Sequence, residues 1–323
     1  MDLDLRQVRY FVAVADELHF GRAAARLHVS QPALSRDVRK LEDALGFRLL
    51  ARDSRHVALT PRGAAFLTDA RELLALAERM QQPADASTVR IAHIFELSTS
   101  RTVADAYSHA RPGVQLIEHA MDSVAQLNAL LENRIDVAVL RVCPQMLTDH
   151  PKGWSHTLLR LEPMRLVGRP GDPPRPSLSL FERPLEVFAD RLESGLYNAH
   201  GNWVSALEEE AGVSMQWLGT PGAFSHCLTV IRRQTGPTLL LEFDSYAARY
   251  AAEGFPVHNV DELRPYYPWS IAWRSGPLPA PTRDFIDVAH EVAARGRWRE
   301  LDEPEARRWM PKDDPVAQEL GWS

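Results

Sequence analysis

The chain has 323 residues, 45% hydrophobic and 25% charged, ordinary proportions for a globular protein of about two domains. No stretch nears the roughly 18 unbroken apolar residues of a membrane span. The acidic start MDLDLRQVRY lacks the basic and apolar regions of a secretory leader, and two cysteines, Cys143 and Cys227, make no disulfide framework. The expectation is a cytoplasmic protein without a membrane partner, a structural metal or a cofactor.

The net charge of −6 argues against a DNA-binding protein until it is divided along the chain. Residues 18–62 hold nine Lys/Arg against four Asp/Glu, while residues 83–323 hold 24 against 32. A basic block on an acidic body points to a local anion-binding surface.

Leu5, Val8, Phe11, Val12 and Ala15 recur at helical spacing and predict an amphipathic helix over 3–17. A short helix fits 21–27, with Ala23, Ala24 and Leu27 inward. After a turn at 28–30, Ser30 as N-cap and Pro32 in the first turn open a third helix, which Gly46 stops. Its buried stripe is Leu34, Val38, Leu41 and Leu45. Segments 47–52 and 56–59 read as short strands around a polar tip, giving a wing. Thr60-Pro61 opens a long helix over 61–82, followed by linker composition to residue 88.

From there strands and helices alternate. Strands fit 89–94, 114–118 and 136–140, with helices at 99–110 and 123–132. A second series from about 184 to 257 has helices near 204–211 and 224–233 and strands near 215–218 and 238–241. A late strand fits 267–273 and a late helix 281–294. The proline-rich 169–176 reads as a loop or a crossing between lobes. Such alternation predicts parallel sheets with ligands at the carboxyl ends of the strands.

The segment FGRAAARLHVSQPALSRDVRKLEDALG (20–46) reads as helix, tight turn, then a helix with a polar, exposed N-terminus. Gln31, Ser35 and Arg36 project from that end beside Pro32, and Arg39 and Lys40 follow one turn on. Gln pairs with an adenine edge and Arg with a guanine edge or a phosphate. Arg52 and Arg55 of the wing add positive charge beside a groove.

From Arg6-Gln7 through RAAARLHVSQPALS to the wing and VALTPRG, these residues resemble the LysR-type transcriptional regulators over 3–65. The resemblance implies a multidomain fold. An N-terminal all-α winged helix-turn-helix with a long linker helix precedes an α/β, two-lobed effector domain similar to periplasmic binding proteins. The implied domains are a DNA-binding domain at 1–60, a dimerising linker helix at 61–82, an effector domain at 88–295 and a tail at 296–323. Lobe one would comprise about 88–163 and 266–295, and lobe two about 164–265. The implied partners are double-stranded DNA carrying an imperfect inverted repeat, a small-molecule effector in the cleft, and further copies of the chain in a homodimer or homotetramer. RNA polymerase is a further candidate partner.

Strand ends and helix starts nominate Ser98, Thr99, Ser100, Arg141, Asn202 and Ser225 as effector contacts. The loop after the first effector-domain strand departs from the family. It has Phe95 and Glu96 where relatives carry small hydroxyl residues that hold a carboxylate, and Glu96 would repel one. The tail, with Trp298, Trp309 and Trp322, is a second departure, read as a dimer arm, a cleft cover or a disordered end. Alternative readings are a regulator without an effector, one switched by oxidation of Cys143 and Cys227, and a solute-binding or enzymatic α/β protein. No nucleophile elbow, glycine-rich phosphate loop or zinc-ligand spacing supports catalysis.

Overall fold

A computed structural model describes residues 4–27, 29–52, 57–81, 88–94, 96–191, 198–219, 222–234, 236–301, 304 and 307–322. The chain divides into two compact units, Met1–Ala86 and Ser87–Ser323.

In the first unit, apolar spacing builds helices around one core. α1 (Leu5–Glu17) starts where the Asp4 carboxylate accepts the Arg6 N–H at 2.8 Å. α2 (Phe20–Arg26) is capped by His19, whose Nδ1 accepts the Arg22 N–H. α3 (Gln31–Leu45) has Ser30 at its N-cap position without a capping hydrogen bond, and it ends at Gly46 with φ 76°, a left-handed conformation that suits glycine. Leu34, Val38 and Leu41 of α3 pack with Val8, Phe11 and Val14 of α1. β1 (Leu50–Arg52) and β2 (Val57–Leu59) pair antiparallel, with Leu50 opposite Leu59. α4 (Pro61–Gln81) buries Ala70 and Leu74 in the same core. The expected linker helix, as far as Leu74, is therefore also a wall of this unit.

Glu42 of α3 is a buried carboxylate, 2% exposed. Its Oε1 accepts the N–H groups of Leu49 and Leu50 at 2.9 and 3.0 Å, and its Oε2 holds Arg48 at 3.0 Å. The wing is thereby tied to α3 by hydrogen bonds to a charged group, the stronger kind.

The second unit opens with β3 (Thr88–His93), α5 (Ser98–Ala110), β4 (Gln115–Ala120), α6 (Ser123–Leu131), β5 (Val137–Leu140) and α7 (Pro144–Asp149). β6 (Trp154–Val167) leads to β7 (Ser177–Leu178), β8 (Leu185–Val187), α8 (Ala199–Ala211), β9 (Met215–Trp217), α9 (Phe224–Arg233), β10 (Leu239–Phe243), α10 (Asp244–Ala252) and β11 (Val257–Val260). β12 (Arg264–Arg274), α11 (Ala280–Arg295), β13 (Arg308–Trp309) and α12 (Pro315–Glu319) complete it.

The strand order is β4-β3-β5-β12-β6-β10-β8-β9. β3 pairs parallel with β4 and β5, and β8 pairs parallel with β9 and β10, which gives each lobe a parallel sheet. β6 and β12 lie antiparallel between the lobes and join them: β12 pairs with β5 on one side, and the end of β6 pairs with β10 on the other. Among the described residues no helix is long and apolar enough to cross a membrane.

The tail is part of this unit. Its β13 pairs parallel with the start of β12 at Arg264 and Pro265. Met310, Val316 and Ala317 pack on Leu161 of β6 and Tyr266 of β12. Trp309 meets Trp203 of α8 edge to face, with ring centroids 5.3 Å apart. The described tail residues thus clamp the crossing strands of their own chain, a docked arrangement that the sequence had left open.

Candidate nucleic-acid face and interlobe cleft

The solvent side of α3 is the face the basic block builds. Gln31, Pro32, Arg36, Arg39 and Lys40 are exposed, and Ser35 is half-buried beside them. Among the described residues neither Arg36 nor Arg39 is held by a carboxylate, whereas Arg22, Arg26, Arg48 and Arg71 each are. The helix begins without an acidic residue in its first turn, so its N-terminal N–H groups keep their attraction for anions. Arg55 and the side chain of Arg52 lie outside the described residues.

At the carboxyl ends of the parallel strands a cavity of about 630 Å³ opens between the lobes of the second unit. Lobe one supplies Ile94, Leu97, Met121 and the start of α6. Lobe two supplies the end of β8, the starts of α8 and α9, and Glu242, Phe243, Tyr246 and Tyr250. Tyr267 and Trp269 of the crossing strand β12 form part of the same wall. Lobe two and β12 bring an aromatic cluster to the lining. Phe243 sits within 5.0–6.1 Å, centroid to centroid, of Tyr267, His200, Trp269 and Tyr246. Trp269 is fixed by its Nε1–H, which donates to Glu162 at 2.6 Å. Burial, with the charge of Arg141 adding to it, pulls the His200 imidazole down to about 4 and keeps it neutral.

The strand-end rule finds the cavity but names other residues than those lining it. Arg141 does follow β5, yet it is fully buried and bound to Asp314 of the tail through Nε at 3.0 Å and Nη2 at 2.7 Å. Its Nη1 donates to the Ala199 carbonyl and to Asn202 Oδ1, so Arg141 joins lobe one, α8 and the tail, and Asn202 is engaged with it. Thr99 is buried and accepts from Arg160 at 2.9 Å, and the Ser100 hydroxyl donates to the Leu97 carbonyl. Ser98 offers its carbonyl to the Thr102 hydroxyl, and Ser225 is exposed with its carbonyl taken by Thr229. The cavity lining includes none of these expected contacts. It includes aromatic side chains that the sequence did not single out.

Glu96, expected to face the ligand, reaches across the cleft instead. Its Oε2 accepts the Phe224 N–H at 3.1 Å and pairs with Arg249 of α10 at 2.7 Å. Arg249 beside it holds the carboxyl below its ordinary value. The neighbouring Phe95 lies outside the described residues. Cys143 is fully buried in lobe one, and Cys227 is buried at the cavity wall, where loss of water pushes its thiol up, away from the reactive thiolate.

Two family models match the chain: the bacterial regulatory helix-turn-helix protein of the lysR family over residues 5–64, and the LysR substrate binding domain over residues 82–294. The HTH-type transcriptional regulator YnfL of Escherichia coli is 38% identical over 245 residues, covering 69% of this chain and 80% of that protein. Full-length OxyR of Pseudomonas aeruginosa shares the fold at a TM-score of 0.60 and 22% identity, over 94% of this chain and all of that one. CbnR, solved in complex with its target DNA, does so at 0.51 and 24%, over 90% of this chain and all of that one. A helix-turn-helix unit with an open basic helix face, followed by a two-lobed α/β unit with a cleft, makes this chain a member of the LysR family of bacterial transcriptional regulators.

Proposed function

We propose that this chain is a cytoplasmic, sequence-specific DNA-binding regulator whose hold on its operator is set by a small molecule in the interlobe cleft. The carrying observation is the outer face of α3, where Gln31, Pro32, Arg36 and Arg39 stand in solvent with both arginines unclaimed by a described carboxylate. Gln31, Ser35 and Arg36 read base edges, and Arg39 holds a phosphate. Residues 61–82 pair two subunits, as a homodimer or within a homotetramer, and place two α3 helices in successive major grooves of an imperfect inverted repeat. The ligand acts through its differential affinity for two arrangements of the lobes, and RNA polymerase reads the outcome.

The test is fluorescence anisotropy of the full chain on the intergenic DNA upstream of its own gene, at two salt concentrations, with a scrambled competitor. Tight, sequence-selective binding that weakens with salt is the expected result. Absence of binding at low salt overturns the reading.

A further inference from the structure

Resting on the reading of the cleft as an effector site, we infer that it takes an organic cation: an ammonium group, protonated or quaternary, carried on an aromatic or apolar body.

Helix N-termini facing a cleft are ready-made sites for anions. Here three of them are occupied by the chain's own oxygens. Asp122 caps α6, accepting the N–H groups of Val124 and Ala125 at 2.9 Å each. Asn198 caps α8, accepting those of His200 and Gly201 at 3.0 Å each. Glu96 crosses from the other lobe to cap α9 at Phe224. A carboxylate entering the cleft would meet these oxygens at the helix starts.

The described lining holds no Arg or Lys. The flanking arginines already hold carboxylates, Arg141 that of Asp314 and Arg249 that of Glu96, each at 2.7 Å. The lining does hold the carboxyl of Glu242, set among aromatic rings. Loss of water pushes that carboxyl up to about 8, with the charge of Glu162 acting in the same sense and the Phe243 N–H and Arg249 opposing. It is an acid kept protonated until a cation arrives beside it.

Around it cluster Phe243, Tyr246, Tyr267 and Trp269, and aromatic rings are the groups whose faces attract ammonium ions. The rings at this end already accept one cation: the Arg249 guanidinium lies 4.1 Å from the Phe224 centroid. Tyr250 supplies an independent sign of a missing partner. It is fully buried at the cavity wall, and among the described residues its hydroxyl has no hydrogen-bond partner. A buried hydroxyl in that state is costly and rare in a finished core.

The experiment is calorimetric titration of the full chain with shape-matched probes: tryptamine, indole-3-acetate and neutral 3-ethylindole, and benzyltrimethylammonium beside phenylacetate. The amines should bind about tenfold or more tighter than the acids. Glu242→Gln should erase that preference while leaving 3-ethylindole unaffected. Tyr250→Phe, which removes only the orphaned hydroxyl, should keep the melting temperature and weaken tryptamine. It carries the test should Glu242→Gln fail to fold. Acids binding as tightly as amines, or amine affinity unchanged in both variants, overturns the inference, as does silence from every probe. Each probe is then added to the operator complex. An acid that binds and shifts operator affinity overturns the cation and leaves the regulator standing. An amine that binds without shifting it upholds the cation and overturns the effector reading.

Discussion

Arg36 stands one turn into α3 with its guanidinium in solvent and no described carboxylate to hold it. Replacing it with Ala should cost about 1–3 kcal/mol of operator binding and relax the preference at one base position, leaving cleft ligands unaffected. Anisotropy against a panel of single-base operator variants reads both effects, and unchanged specificity would remove Arg36 from base reading. Glu242 offers a residue-scale prediction of another kind. Its folded carboxyl sits at about 8 against an ordinary 4.5, so between those values the folded state binds the more protons. The contribution of Glu242 to the stability of the effector unit should therefore be largest below 4.5, fall as pH rises to about 8, and then level off. Glu242→Gln should flatten that slope in a series of thermal melts, and an unchanged slope would assign it to other groups. Residues such as Arg36 were legible because exposure at a helix start follows from local pattern. Arg141 was legible as an arginine past a strand and not as a buried one, because its partner Asp314 lies 173 residues away.

The joint between the wing and α4 is an element held by backbone proximity. Thr60 accepts the Gly63 N–H at 2.9 Å and donates its hydroxyl to the Arg48 carbonyl at 2.8 Å. A Cβ on Gly63 would stand 1.9 Å from the Leu49 carbonyl oxygen, an overlap with backbone that has no rotamer to escape through. Gly63→Ala should destabilise the N-terminal unit by about 3 kcal/mol and lower operator affinity with it. Wild-type thermal unfolding would show that the joint yields. The elements of this unit, including the wing, were readable within a few residues from apolar spacing, Gly46 and Thr60-Pro61. β6 was not readable at all. Its sequence WSHTLLRLEPMRLV carries Arg160, Glu162, Arg165 and Pro163, which speak against an interior strand. The fold accommodates them because Glu162, fully buried, accepts from Trp269 and the Ser245 N–H while Arg160 lies 3.5 Å away. Trp269 and Ser245 belong to distant elements, so the local pattern held no trace of them.

At the scale of the whole molecule, division into a helix-turn-helix unit and a two-lobed α/β unit followed from the switch in periodicity near residue 88. The place of the tail did not, since nothing local distinguishes a docked tail from a loose one. Its docking rests on an ion pair with both side chains at 0% exposure. Asp314→Asn should leave Arg141 charged, buried and without its counter-charge. Loss of one partner of such a pair costs about 3–5 kcal/mol, read as an earlier urea midpoint for the effector unit with the N-terminal unit unchanged. An unaltered midpoint would mean that water or the Ala199 carbonyl suffices for Arg141.

The same pair has a consequence for how the protein is made. Arg141 leaves the ribosome early and its counter-charge 173 residues later. Until Asp314 emerges, the end of β5 has no dry environment to enter, β12 lacks its tail partner β13, and Trp203 lacks Trp309. Completion of the effector unit is thus tied to the synthesis of Asp314, because contacts so distant in sequence form late. A chain cut short before Asp314 keeps a charged wound in its larger domain, open to proteases, even though its DNA-binding unit has every residue it needs.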